Sequence, residues 1–209
     1  MKITDNIELI DGTMANSYSV NFEGKNILID AGTKGSSKKI IEYYRKKNMK
    51  PDIVLITHYH PDHVGGLKAI KTEFGSDVYV PDTEIGVISG REKMTPAKSL
   101  ASRMVAGFMK SDPVEDLKKA SDLKMEGIEV VETPGHTPGS TSYYFKSEDA
   151  IFVGDAVVVS SGKLGLNKTF TLDMQKAEES RKKIIDSPAK IILSGHGDVY
   201  GKPNGDNEK

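Results

Sequence analysis

Thr57-His58-Tyr59-His60-Pro61-Asp62-His63 places three of the chain's five histidines within six residues. It follows Ile53-Val54-Leu55-Ile56, a short continuous apolar run of the kind that forms a strand buried on both faces. His58 and His60 are two apart, so in an extended loop they point the same way. Pro61 fixes the backbone, and Asp62 and His63 can turn to a different point. The loop can therefore present two pairs of ligands to two neighbouring metal positions. Imidazole and carboxylate suit Zn²⁺, Fe²⁺ or Mn²⁺.

The other two histidines are His136, in Thr133-Pro134-Gly135-His136-Thr137-Pro138-Gly139-Ser140, and His196, in Ser194-Gly195-His196-Gly197-Asp198. All five stand in loops after apolar strands, where α/β sheets gather ligands. A lone loop histidine is usually a solvated side chain, but that reading does not explain five placed alike. Asp155 follows Ile151-Phe152-Val153-Gly154 in the same manner, although by itself it would read as a turn or helix-capping residue. Five histidines and two aspartates exceed what one tetrahedral zinc requires. They suit a two-metal site with a shared carboxylate.

Outward from these loops the pattern alternates between strands and helices. Ser17–Phe22 and Asn26–Ile29 read as a hairpin ending at Asp30-Ala31-Gly32. Ser36 or Ser37 can cap a helix running to about Lys47, which Pro51 and Asp52 follow. Gly66–Phe74 is expected to be helical, with Leu67, Ile70 and Phe74 on one face, and Val78–Val80 to be a strand. Later strands are Ile128–Val131, Thr141–Phe145, Ala150–Val153 and Ile191–Leu193. Asp173 can cap a last helix with Met174, Ala177, Ile184 and Ile185 on its apolar face, ended by Pro188. Glu84–Leu123 reads as two or three helices inserted between strands: ordinary core packing, or a Met-lined wall or lid over a pocket. Lys202–Lys209 reads as a frayed tail. The alternation argues for one layered α/β domain spanning 1–209.

Composition narrows the function classes. Lys plus Arg is 29 and Asp plus Glu is 30, a net charge of −1, so there is no electrostatic footprint for nucleic acid or an anionic membrane. The chain has no cysteine, which excludes thiolate nucleophiles, cysteine zinc sites and disulfides. No apolar run approaches a membrane span, and Met1–Gly12 has no secretory-type apolar core. A cytoplasmic protein acting on a small molecule is the expectation, with a homodimer through the Met-rich insertion as an open alternative.

The His-x-His-x-Asp-His run, followed in order by His136, Asp155 and His196, resembles the metallo-β-lactamase superfamily over nearly the whole chain. The resemblance implies a four-layer αβ/βα sandwich with metals at one edge between the sheets. It implies two divalent ions, zinc foremost, with iron or manganese as alternatives. His58, His60 and His136 would hold the first ion and Asp62, His63 and His196 the second, with Asp155 bridging. Asp30 matches the family's early strand-end aspartate, which supports the metal loop from behind, although a plain turn residue is the competing reading. Gly65 and Gly66 would allow tight packing behind the loop, and Ser140 would hydrogen-bond a ligand.

The implied activity is hydrolysis of an ester, thioester or lactone by a metal-bridging hydroxide, with Asp62 orienting it or shuttling its proton. The layout looks most like the glyoxalase II and lactonase branches. The glutathione-binding C-terminal domain of the first is not expected here, and the lactonase tyrosine after the bridging aspartate is replaced by Ala156-Val157-Val158-Val159. Tyr59 or Tyr200 would have to substitute, though packing or surface roles fit each better. Other readings are a persulfide dioxygenase-like enzyme with one iron on His58, His136 and Asp155, a phosphodiesterase or nuclease, and a non-catalytic metal-binding scaffold. The substrate-binding residues are not legible.

Overall fold

The computed structural model describes residues 1–95 and 111–202. Six strands form the first sheet in sequence order: β1 (Ile7–Ile10), β2 (Ser17–Phe22), β3 (Lys25–Ile29), β4 (Ile53–Leu55), β5 (Asp77–Val80) and β6 (Lys118–Lys119). The first three run antiparallel to one another, and β3 to β6 are parallel. The second sheet is built from β7 (Ile128–Glu132), β8 (Thr141–Phe145), β9 (Ala150–Gly154), β12 (Ile191–Ser194) and β13 (Val199–Gly201), in the order β13-β12-β9-β8-β7. Within it β9 and β12 are parallel. A separate hairpin pairs β10 (Val158–Ser160) with β11 (Lys163–Gly165).

Strand alternation builds the layers. In β3 and β4, Ile27, Ile29, Ile53 and Leu55 face the second sheet, where Tyr143, Phe145, Ala150 and Phe152 meet them. Phe152 packs edge-on against both Tyr18 and Phe145, with ring centroids 5.3 Å apart in each pair. The intervening residues, Leu28, Val54, Val78 and Val80, face outward onto Ile40 and Tyr44 of α1 (Ser37–Lys46) and Leu67 and Ile70 of α3 (Leu67–Phe74). On the far side, Ile151, Val153 and Ile192 meet Ile184 of the last helix, Met174–Asp186. The result is helices, sheet, sheet, helix, the expected four-layer sandwich. Strand β4, Ile53-Val54-Leu55, is apolar and buried at every position because both of its faces are covered.

Several local expectations need correction. Ser36 occupies the N-cap position of α1 but makes no side-chain cap bond there; its hydroxyl pairs with Thr33 Oγ1 at 2.8 Å. Asp173 does cap the last helix, accepting from the Gln175 and Lys176 amides at 3.1 Å each. The buried face of that helix is Ala177, Ser180 and Ile184, while Met174 and Ile185 are exposed. The expected helical insertion begins with a 3-10 turn at Asp82–Glu84 and one helical turn, α4 (Ile85–Ile88). It closes with β6 and a 3-10 turn at Ala120–Asp122 rather than with helix. The remainder expected across 96–110 lies outside the described residues, as does the tail beyond Lys202. Lys202 itself is not frayed: its amide donates to the Lys190 carbonyl at 2.8 Å, and its Nζ to the Ile185 carbonyl at 2.8 Å. Among the described residues, no helix is long and apolar enough to cross a membrane.

Candidate metal centre

The carboxyl ends of β3, β4, β7, β9 and β12 converge on one edge, and each delivers one part of the predicted set. Asp30 follows β3, the His58–His63 loop follows β4, His136 follows β7, Asp155 follows β9 and His196 follows β12. The loop after β4 is not irregular throughout. Pro61–Val64 forms one helical turn, α2, with Pro61 at its start. That turn carries Asp62 and His63 away from His58 and His60.

All seven predicted metal residues come together. One ligand atom from each of His58, His60 and His136 lies within 4.8 Å of the other two, and the same holds for Asp62, His63 and His196. The first group is tight: His58 Nε2 is 3.1 Å from His60 Nδ1, which is 2.9 Å from His136 Nε2. In the second, His196 Nε2 is 3.1 Å from Asp62 Oδ2. Asp155 lies between the groups. Its Oδ2 is 3.5 Å from both His136 Nε2 and His196 Nε2, and its Oδ1 is 3.4 Å from His63 Nε2.

The surroundings determine where the protons sit. Asp30 is buried and adopts a left-handed conformation with φ of 57°. Its Oδ1 accepts the Thr57 amide at 2.8 Å, and its Oδ2 accepts the Thr57 hydroxyl at 2.8 Å. Oδ2 also lies 2.7 Å from His63 Nδ1. Thr57, having given its proton to Asp30, can only accept from His58 Nδ1, 3.1 Å away. Both histidines therefore carry Nδ1–H and turn Nε2 into the cluster. Asp30 is thus not a plain turn residue. Thr57 stands in the quoted motif, yet its part in orienting both histidines is not legible there. Asn16 and Tyr18 secure the opposite loop, the Asn16 amide and Tyr18 hydroxyl donating to the Gly195 and Ser194 carbonyls at 2.7 Å each.

The electrostatics divide the cluster. Burial, reinforced by neighbouring histidines, holds His58 well below the usual range and pushes His60 down to about 3. Burial also lowers His136. These three offer neutral lone pairs at neutral pH. Burial pulls His63 down too, but the carboxylates of Asp30, Asp62 and Asp155 outweigh it and hold His63 well above its ordinary value. The hydrogen bond to Asp62 raises His196. Burial opposes ionisation of Asp62 and Asp155, but the histidines win, holding Asp62 down to about 2 and Asp155 below its ordinary value.

Such a set fits divalent cations. Three imidazole nitrogens converge at hydrogen-bond distance with few protons to share. His63 Nε2 and Asp155 Oδ1 are buried and face each other at 3.4 Å, and neither makes a well-formed hydrogen bond among the described residues. Buried polar atoms rarely go unpaired unless something else binds them. Gly195 completes the shape: a Cβ there would stand 2.5 Å from both Asp155 Oδ1 and His63 Cε1.

The supporting residues sort as follows. A Cβ on Gly65 would meet the Lys34 amide nitrogen at 2.7 Å, and one on Gly66 the Ala31 carbonyl at 2.3 Å, the tight packing expected. Ser140 is engaged by the loop of His136, its Oγ accepting the Thr137 amide at 3.0 Å. Tyr59 is packed into the outer core and Tyr200 against the second sheet's helix side. Glu84, which the sequence offered only as the start of an insertion, is buried beside the His136 loop.

The chain resembles known proteins over most of its length. The model of the metallo-β-lactamase superfamily matches residues 10–196. The chain is 29% identical over 195 residues to the probable metallo-hydrolase YqgX of Bacillus subtilis, covering 88% of this chain and 85% of that protein. It is 29% identical over 191 residues to a hydroxyacylglutathione hydrolase of Pelagibacter ubique, covering 90% and 68% respectively. The solved structure of TTHA1623 in a di-iron-bound form superposes with a TM-score of 0.73 and 23% identity, covering 93% of each chain, a likeness of fold. A match that begins at the end of the first strand and closes on His196 spans every metal-facing loop, and this chain belongs to the metallo-β-lactamase superfamily of metallo-hydrolases.

Proposed function

We propose that the chain is a hydrolase that uses two divalent ions to cleave an ester, thioester or lactone of a small molecule. The observation that carries this reading is Asp155 Oδ2, equidistant at 3.5 Å from a nitrogen of each triad. A carboxylate so placed suits a two-ion centre better than a single ion. His58, His60 and His136 would hold one ion, Asp62, His63 and His196 the other, and Asp155 would face both. Bound ions supply the positive charge that acidifies water and polarises the scissile carbonyl.

The chain's own residues supply the rest. Asp155 is sealed and anionic, so it offsets positive charge without giving up its place to solvent. Asp62 retains 20% of its side-chain exposure where His63 has none. It is therefore the carboxylate through which a proton from the attacking water can reach bulk solvent, and it is the residue we assign to catalysis. The absence of cysteine leaves this chemistry without a competing thiol nucleophile. The hydroxyacylglutathione hydrolase relative supports a thioester as the first substrate class to try. Zinc is the ion proposed, with iron and manganese as alternatives that the same donors accept.

A panel of thioesters, esters and lactones, run with metal-loaded wild type and Asp155→Ala, tests the reading. Turnover by wild type with loss of most of it in the folded variant is the expected result. Wild-type rates in Asp155→Ala contradict the role of Asp155.

A further inference from the structure

We propose that Glu84 is a positioning residue that clamps the loop carrying His136 and so sets the affinity of the ion held by His58, His60 and His136. The inference rests on the metal reading above.

Glu84 reaches the site from the end of β5, through Pro81 and the 3-10 turn Asp82–Glu84. Strand β5 is the parallel neighbour of β4, so this turn emerges beside the loop of His58. Its side chain is 1% exposed. Oε1 accepts two bonds from the His136 loop: the Thr137 hydroxyl donates to it, as does the Gly139 amide at 2.9 Å. Thr137 directly follows His136.

The protons in the loop can be assigned in full. Thr137 gives its hydroxyl proton to Glu84, so at 2.7 Å it must accept from Ser140 Oγ–H. Ser140 in turn accepts the Thr137 amide at 3.0 Å. The loop is thus a closed set of donors whose chain ends on one glutamate oxygen. Remove that oxygen and a buried hydroxyl and a part-buried amide lose their acceptor together.

Backbone shape gives an independent reason. A Cβ on Gly139 would lie 2.3 Å from Thr83 Oγ1 and 2.6 Å from Glu84 Cγ. Only glycine lets the loop settle onto the Thr83–Glu84 turn this closely. The far end of the loop is fixed as well, the Thr141 amide donating to the Thr57 carbonyl at 2.9 Å. His136 therefore hangs from a loop held at Glu84 on one side and at the root of the His58 loop on the other.

The remaining oxygen, Oε2, is buried without a hydrogen-bond partner among the described residues. A proton on Oε2 leaves the clamp on Oε1 in place, while the Tyr59 backbone N–H, from the loop of His58 and His60, also bears on this carboxyl. The amide of glutamine has the same layout, an acceptor on one side and N–H on the other. Glutamine should therefore rescue, and alanine should not.

Two measurements on full-length wild type, Glu84→Ala, Glu84→Gln and Thr137→Val test this. First, amide exchange across residues 133–141 is followed in metal-stripped protein. Faster exchange in Glu84→Ala, with Glu84→Gln like wild type, is expected; unchanged exchange in Glu84→Ala overturns the clamp whatever the metal result. Second, zinc affinity is measured by chelator competition, and Co²⁺ absorption reports the ligand geometry. In Glu84→Ala one of two ions should bind about 10- to 100-fold more weakly, the usual effect of removing a partner behind a ligand, with an altered Co²⁺ spectrum. Glu84→Gln should keep both values near wild type. Two ions bound with wild-type affinity and spectrum in Glu84→Ala, alongside a lowered Tm only, overturn the positioning role. If Glu84→Ala does not fold, Thr137→Val, which removes the hydroxyl between Glu84 and Ser140 and no bulk, must weaken the same ion or the proposal fails. Wild type that binds no ion refutes the metal reading and the second measurement's premise, while the first still judges the clamp.

Discussion

Replacing Asp30 by Asn changes one atom and should disarm two histidines, His63 directly and His58 through Thr57. The carboxylate accepts three bonds: the Thr57 amide at 2.8 Å, the Thr57 hydroxyl at 2.8 Å and His63 Nδ1 at 2.7 Å. Asparagine fits the same space and tolerates the φ of 57° at this position. Its carbonyl can stay on the Thr57 amide, which puts an NH₂ where Oδ2 stood. Two former donors then face a donor. Thr57 can rotate and accept, but its proton now points at His58 Nδ1, and the His58 proton moves to Nε2. His63, which a metal must strip of one of its two protons, would likewise keep the remaining one on Nε2. Each shift covers a nitrogen that faces the cluster. A hydrogen bond to a charged group contributes about 1.5–3 kcal/mol, and about 1.4 kcal/mol is a factor of ten. Metal affinity in Asp30→Asn should therefore fall by roughly one to two decades, in line with the usual loss when such a partner is removed. Chelator competition with zinc on stripped protein measures it, with circular dichroism to confirm folding. A folded Asp30→Asn that binds zinc within about twofold of wild type would refute the tautomer argument.

Three further perturbations follow from the packing and the charges. Gly195→Ala pushes a methyl against Asp155 and His63, at 2.5 Å from each, and should cost about 1–3 kcal/mol of local strain; activity and zinc content should fall while the fold holds, and unchanged zinc binding would contradict the close approach. Phe152→Ala empties a fully buried site between two aromatic rings and should destabilise by about 3–5 kcal/mol in urea unfolding; a loss under about 1 kcal/mol would show that the inter-sheet core is not packed as described. Burial pushes Glu84 from 4.5 up to about 7, against the pull of bonds from Thr137 and the Gly139 and Tyr59 amides. A carboxyl raised in the folded state favours folding below its unfolded pKa and loses that contribution as pH rises through the folded value, a difference on the order of 3 kcal/mol. Wild type should therefore lose stability relative to Glu84→Gln between pH 5 and pH 8, and a constant Tm difference across that range would show that Glu84 titrates normally.

The site was more legible in the sequence than its scaffold. Strand ends are readable because a continuous apolar run such as Ile53–Ile56 or Ile151–Val153 stops abruptly at a polar side chain. Three such stops supplied His58, Asp155 and His196. Their meeting at one edge follows from the parallel pairs β3–β4 and β9–β12, which no local pattern encodes. Strand β1, Ile7-Glu8-Leu9-Ile10, was missed because four residues with one charge give too short a period to read. Strands β6, β10, β11 and β13 have two or three residues each and owe their pairing to neighbours. The misplaced face of the last helix has a similar cause: Ser180 is buried because its hydroxyl donates to the Pro134 carbonyl at 2.7 Å, while Met174 sits at the exposed first turn. Glu84 escaped notice because a glutamate after a strand reads as solvated. Its one sequence signal is the apolar company of Ile85 and Val87 just beyond it.

The proposed two-ion hydrolytic centre is built on Asp155. Elemental analysis of protein purified without added metal, paired with oxygen uptake on a persulfide, tests it most directly. Two divalent ions per chain and no oxygen consumption are the expected result. A single iron with oxygen uptake would contradict it and leave Asp62, His63 and His196 without an ion to hold.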